Sequence, residues 1–271
     1  LVRFGYDGEG FAGWARQPGR RTVEGTIRDG VERHRLVRNL EDARIEVASR
    51  TDAGVSARAN AIAIRSELPV ASLVRALNGL APDIYFDAAR PLPEEFRVRH
   101  ALWREYRYFL DGPPPKIRRL RDISTRLPHQ LDTRTFGRGI RSRAPVLHEI
   151  DILRVRAGRA GSRLQVRAHS FVWGMIRKIV AGMTECAEGR LPLETLLEAV
   201  SGRRPLTLPL AAPDPLILWE VRYPGRWTYR TSWRSRDQQS HLADGRRRAA
   251  TRLRISDALM PDVADDRREN H

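Results

Sequence analysis

Cysteine occurs once in the 271 residues, at Cys186, which rules out an internal disulfide and a cysteine-rich zinc site. That scarcity fits a reducing, cytoplasmic compartment. The seven histidines are scattered without H-x-x-x-H or other paired ligand spacing, so no metal is expected. No apolar run approaches the length of a membrane span, and the opening LVRFGYDGEG lacks the hydrophobic stretch of a secretory signal. A soluble protein with no membrane partner is expected. G-x-S-x-G and P-loop patterns are both missing. Hydride transfer, nucleotide hydrolysis and metal-assisted hydrolysis therefore lack their usual apparatus.

Lysine is nearly missing too. Only Lys116 and Lys178 occur, yet the formal net charge is +16, so the positive charge is almost wholly guanidinium. Guanidinium suits bidentate phosphate contacts, and a charge of this size and sign points to nucleic acid or an anionic surface as partner.

What is present suffices for a core. Hydrophobic residues make up 41% of the chain, enough for one large domain or two modest ones. Residues 1–6 read as a strand and 8–19 as a loop. A helix is expected from Thr22, with Val23, Ile27 and Val31 on one face. Strands are expected at 45–48, 61–65 and 84–88, and a helical stripe at Val70, Leu73, Val74 and Leu77 ends at Gly79. From Trp103 a second set begins. Residues 105–110 alternate, with Tyr106, Tyr108 and Leu110 on one face, until Pro113-Pro114-Pro115 stops the strand. Strands are expected at 149–155, 163–168 and 216–223. Helices are expected at 132–140, at 171–183 capped by Ser170, and from Pro192 to Gly202. This interleaving predicts an α+β fold in two similar halves, 1–102 and 103–223, sharing an antiparallel sheet. Residues 224–271 read as a separate basic polar tail, a candidate for disorder.

Three local features bear on chemistry. Gly8-Glu9-Gly10-Phe11-Ala12-Gly13 matches G-x-G-x-x-G, but Pro18 and Gly19 keep a helix from opening within the glycines, as a pyrophosphate site requires. A dinucleotide site is set aside, and Arg16, Gln17, Arg20 and Arg21 in that loop read as phosphate contacts, which the resemblance described below makes contacts to RNA. In SRTDAGVSA a single carboxylate, Asp52, follows Arg50 and Thr51; the residues alone leave it open between a turn-forming aspartate and a catalytic one. Arg177 falls just beyond the apolar arc of its helix, where a half-buried arginine wants a carboxylate partner.

The segments GYDGEGFAGWARQPGRRTVEG, SRTDAGVSA, FRVRHALWREYRYFL and HSFVWGMIRKIVAGM occur in that order. Together they resemble the TruA family of tRNA pseudouridine synthases over about residues 1–223, with Ser56 standing where the family usually has histidine. The resemblance implies two ferredoxin-like halves around a central catalytic cleft, a homodimer, tRNA as partner and no cofactor. It implies isomerisation of uridine to pseudouridine at positions 38, 39 and 40 of the anticodon arm, on a flipped-out nucleotide. By the same resemblance Asp52 is the catalytic carboxylate, Arg177 pairs with it, Arg50 holds the flipped nucleotide, and Tyr106 stacks on the base and is a candidate for removing the C5 proton. A synthase for another RNA site and a basic RNA-binding protein without turnover are the alternatives.

Overall fold

The computed structural model describes residues 1–259 except 42, 140, 158–160 and 233, with the backbone alone at 256–259. The first half contains β1 (Val2–Tyr6), α1 (Val23–Arg33), β2 (Glu46–Val47), β3 (Ser56–Ala63), α2 (Val70–Leu77) and β4 (Ile84–Ala89). The second contains β5 (Trp103–Leu110), α3 (Pro114–Arg126), β6 (Gln130–Asp132), α4 (Thr133–Phe136), β7 (Leu147–Glu149), β8 (Ile152–Arg156), β9 (Ser162–Ala168), α5 (Met175–Ala187), α6 (Leu193–Val200) and β10 (Leu216–Arg222). β11 (Tyr229–Arg230) and α7 (Arg236–Leu259) follow.

Nine strands form one sheet in the order β11-β4-β1-β3-β10-β5-β9-β8, with β2 pairing to β3 off that line, while β6 and β7 pair separately. Each half repeats one arrangement. β1-α1-β2-β3-α2-β4 and β5-α3-β8-β9-α5-β10 both place their fourth strand beside the first, the first beside the third and the third beside the second. The pairings within the halves are antiparallel. The halves meet through the parallel neighbours β3 and β10, registered at Ile217 with Ser56 and Leu218 with Ala57.

Local chemistry accounts for the elements. Thr22 caps α1 by accepting from the Gly25 amide at 3.2 Å, and Val23, Ile27 and Val31 are buried as their spacing predicts. They join Phe4, Phe86, Val74 and Leu77 in the core of the first half, and Leu120, Leu164, Ile179 and Met183 fill the second.

One expectation is extended and two are corrected. The proline run ends β5 but also opens α3, because Pro114 and Pro115 occupy first-turn positions where no amide hydrogen is needed. The helix expected at 132–140 is a single turn, since Gly137 leaves the helical region at φ −95°, ψ 165°; Ile140 lies outside the described residues. The helix expected at 171–183 starts only at Met175, after Gly174 in the left-handed conformation, so Ser170 does not cap it.

The described part of 224–271 is not a loose tail. β11 pairs with β4, and Gln238 at the base of α7 is buried. Its side-chain amide reaches Asn78 Oδ1 (3.1 Å), the Asn78 carbonyl (3.2 Å) and the Ile84 carbonyl (2.7 Å). Asn78 in turn donates to the Phe86 carbonyl (2.7 Å) and accepts from its amide (2.8 Å). Asn78→Ala would strand both backbone groups of Phe86 in the interior, at about 1–3 kcal/mol each. A loss of stability on the order of 2–6 kcal/mol is expected in urea unfolding.

Candidate active site

Where the halves meet, a cleft of about 790 Å³ is lined by the 47–52 loop, β5, and the 170–177 segment that leads into α5. Its volume lies in the roughly 300–1,000 Å³ range of small-molecule sites. Four arginines line it: Arg50, Arg99, Arg104 and Arg177. Asp52 is the one carboxylate among its lining residues.

The loop that carries Asp52 is moulded by the glycine-rich segment. A Cβ on Gly8 would sit 2.5 Å from the Val55 carbonyl carbon, and one on Gly13 would sit 3.0 Å from the Thr51 carbonyl oxygen, with φ +96° as a further bar. Trp14 N donates to the Thr51 carbonyl (3.0 Å), Gly54 N to the Phe11 carbonyl (3.3 Å) and Gly8 N to Ser56 Oγ (3.0 Å). The Tyr6 hydroxyl meets Thr51 Oγ1 at 2.7 Å. Gly8 and Gly13, the outer glycines of G-x-G-x-x-G, therefore hold the aspartate loop in shape.

Asp52 is held from the other half. Arg177 Nη1 donates to Asp52 Oδ2 at 2.9 Å, and its Nε donates to the Ala211 carbonyl at 2.6 Å, so the guanidinium is fixed in orientation. Both partners are half-buried, at 24% exposure for the carboxylate and 14% for the guanidinium. The indole N–H of Trp173 donates to Asp52 Oδ1 at 2.7 Å. Each oxygen thus accepts one bond and keeps further lone-pair capacity for a ligand. Trp173 is 54% exposed, with Arg138 over its ring at 4.2 Å, and it stands beside the carboxylate because Gly174 breaks the chain out of the helix.

Tyr106 lies in the floor, 7% exposed, with Phe171 edge-on to its ring at 5.2 Å and 86°. Burial pushes its phenol up to about 12, and the nearby Asp52 charge adds to this, against the pull of the Ser49 hydroxyl and Arg104. Arg104 is buried beneath it and donates to Ser49 Oγ (3.0 Å) and to the carbonyls of Ala48 (3.1 Å), Arg99 (2.7 Å) and His169.

Of the residues singled out from sequence, Asp52, Arg177, Tyr106 and Arg50 come together; Arg50 is exposed at the mouth. In the loop, Arg16 and Arg20 are exposed, while Gln17 donates to the Ala12 carbonyl at 2.8 Å. Arg21 is committed within the fold: it pairs with Asp83 through two bonds of 2.6 and 2.9 Å and covers the Phe11 ring at 4.2 Å. Arg104, Phe171 and Trp173 are the site residues that sequence reasoning missed. Arg104 was legible, because strand alternation puts it on the face of Tyr106 and Tyr108. Trp173 was hidden by the assumption of unbroken helix. Among the described residues, no three His, Cys, Asp or Glu side chains gather where they could hold a metal ion.

A family profile described as tRNA pseudouridine synthase matches residues 132–224. Curated relatives extend the likeness. The tRNA pseudouridine synthase A of Thermococcus kodakarensis is 31% identical over 226 residues, covering 83% of this chain and 84% of its own. That of Methanothrix thermoacetophila is 32% identical, with 92% of each chain covered. That of Natronomonas pharaonis is 34% identical, covering 96% of this chain and 98% of its own. The last alignment necessarily runs past Pro224, beyond the span over which the sequence motifs carry the resemblance.

The raised Tyr106 phenol has a consequence for pH. An unfolded tyrosine ionises near 10, so between pH 10 and about 12 the unfolded chain gives up this proton while the folded chain keeps it. The contribution is intact below pH 10 and is lost as pH rises towards 12. Tyr106→Phe should therefore lose less stability than the unaltered chain across that window. In the difference between their ultraviolet titrations, no tyrosinate should form near pH 10 while the chains remain folded.

Proposed function

Because this chain belongs to the tRNA pseudouridine synthase A family, whose activity is the isomerisation of uridine to pseudouridine in tRNA, we propose that the cleft between its halves performs that reaction, with Asp52 as the catalytic carboxylate. The carrying observation is the composition of the cleft: one carboxylate, held in place from the opposite half, among four arginines. A protein that merely bound RNA would have no use for a negative charge facing phosphate. The reaction breaks the bond from ribose C1′ to the base nitrogen, turns the uracil and rejoins it through C5, so an ionised carboxylate beside the sugar is the group it calls for, as nucleophile or in forming a glycal intermediate.

The neighbours support this reading. Arg177 and the Trp173 N–H donate to the two carboxylate oxygens and aim them into the cleft. Tyr106, braced by Phe171, offers a ring on which an extruded base can stack. With its phenol pushed up to about 12 it is neutral near pH 7, so removing the C5 proton would require it to pass on its own proton as it accepts another. Arg50 at the mouth suits the phosphate of a flipped nucleotide, and exposed Arg16 and Arg20, with Gln17 bracing their loop, suit the flanking backbone. Arg21 shapes that loop through Asp83. The repeated β-α-β-β-α-β order supports two ferredoxin-like halves. Positions 38, 39 and 40 of the anticodon arm are the proposed targets, and a homodimer the proposed assembly.

The test is a panel of unmodified tRNA transcripts with uridine placed singly at 38, 39 or 40, mapped for pseudouridine at single-nucleotide resolution. The chain should modify more than one of these positions, and Asp52→Ala should bind the transcripts but form no pseudouridine. Turnover by Asp52→Ala would overturn the assignment, and modification confined to another RNA site would overturn the target.

Trp173→Phe keeps an aromatic ring, though a smaller one, and removes one hydrogen bond to a charged group, worth about 1.5–3 kcal/mol. Turnover at saturating tRNA should fall by roughly tenfold or more while affinity changes little. A fall in affinity alone would make Trp173 a contact to RNA with no part in orienting Asp52.

A further inference from the structure

The exposed part of α7 is a strongly charged surface that the cleft does not use. From 246 to 255 every residue of the helix is exposed, so this stretch has no face against the body. Its sequence, RRRAATRLRI, contains five arginines and no acid. Arg247 pairs with Asp244 one turn back, while Arg246, Arg248, Arg252 and Arg254 have no carboxylate partner among the described residues. Arg248 and Arg252 are four apart on one face and repel each other. Such a helix, without an apolar stripe, gains little from its own chain, and a polyanion laid along it would turn that repulsion into attraction.

The base of the helix is fixed. Gln238 N donates to Ser235 Oγ and Ser235 N to Gln238 Oε1, both at 3.1 Å, closing a reciprocal cap. Gln238 is buried against Asn78 and Ile84, and His241 Nε2 lies 3.4 Å from Asp7 Oδ2. Asp7 N donates to the Asp83 carbonyl at 3.1 Å, and Asp83 is the partner of Arg21. The helix thus springs from the same anchor as the loop that carries Arg16 and Arg20.

We propose that residues 246–255 of α7 form a second RNA-docking surface, a stiff arm that grips tRNA phosphates outside the cleft. The inference rests on tRNA as the substrate. Ten helical residues span about 15 Å, enough to meet several phosphates. Guanidinium contacts of this kind read backbone, so the arm adds affinity without choosing a base.

The test replaces Arg246, Arg248, Arg252 and Arg254 together by Gln, which keeps helix propensity. A charge-matched control replaces the exposed Arg33, Arg118, Arg121 and Arg203 by Gln. Affinity for an unmodified tRNA transcript is measured from low to high salt, with helix content followed by circular dichroism. The arm variant should keep its helical signal and bind on the order of tenfold or more weakly, with a salt slope shallower by about one for each phosphate no longer neutralised. The control should stay near the unaltered chain. Affinity and slope equal to the unaltered chain, or an equal loss in the control, would overturn the arm. An altered oligomeric state with unchanged tRNA affinity would overturn it in favour of a contact between copies of the chain. If the unaltered chain binds tRNA but forms no pseudouridine, the catalytic reading falls, while the binding measurement still decides the arm.

Discussion

The contact between Asp52 and Arg177 joins groups 125 residues apart, one from each half of the chain. A carboxylate at the mouth of an arginine-lined cleft would be free to collapse onto any of several cations. Here a single guanidinium claims one of its oxygens and is itself held by the Ala211 carbonyl. The parallel seam of β3 and β10 sets the distance between the halves at which this pair can form. The cleft, its polarity and its alignment with Tyr106 all depend on that separation.

Support for the pair comes from residues that do not touch the carboxylate. The close approach of Gly8 and Gly13 to the 51–55 backbone fixes the aspartate loop from one side. Buried Arg104 gathers the carbonyls of Ala48, Arg99 and His169 beneath Tyr106, tying the loop, the crossover between halves and the end of β9 to one guanidinium. Burial of that cation is tolerable because its N–H groups are satisfied locally by oxygens.

Much of this was legible from the residues, and the rest was hidden for identifiable reasons. Val23, Ile27 and Val31 behind Thr22 declared α1, and the alternation of Tyr106 and Tyr108 declared β5, because one face of each is buried. Arg177 declared its need for a partner by standing at the edge of an apolar helix, though nothing local could say that the partner lay in the other half. The start of α5 was missed because Phe171 and Val172 extend the apolar period of the helix while packing from a loop; only the backbone at Gly174 separates the two. α7 was missed because an arginine-rich helix anchored by one buried polar residue, Gln238, and exposed throughout 246–255 has no apolar period to read.

Both lysines have structural duties: Lys116 pairs with Glu188 at 2.6 Å, and Lys178 donates to the carbonyls of Thr135 and Gly137 at 2.9 and 2.7 Å. The cationic face is left to guanidinium, which stays protonated at any pH a cell reaches. Lysine acetylation, the common enzymatic means of erasing positive charge, therefore has almost nothing to act on here. The attraction of this surface for a polyanion is fixed when the chain is made, and in a cell it can be tuned mainly by the ions around it.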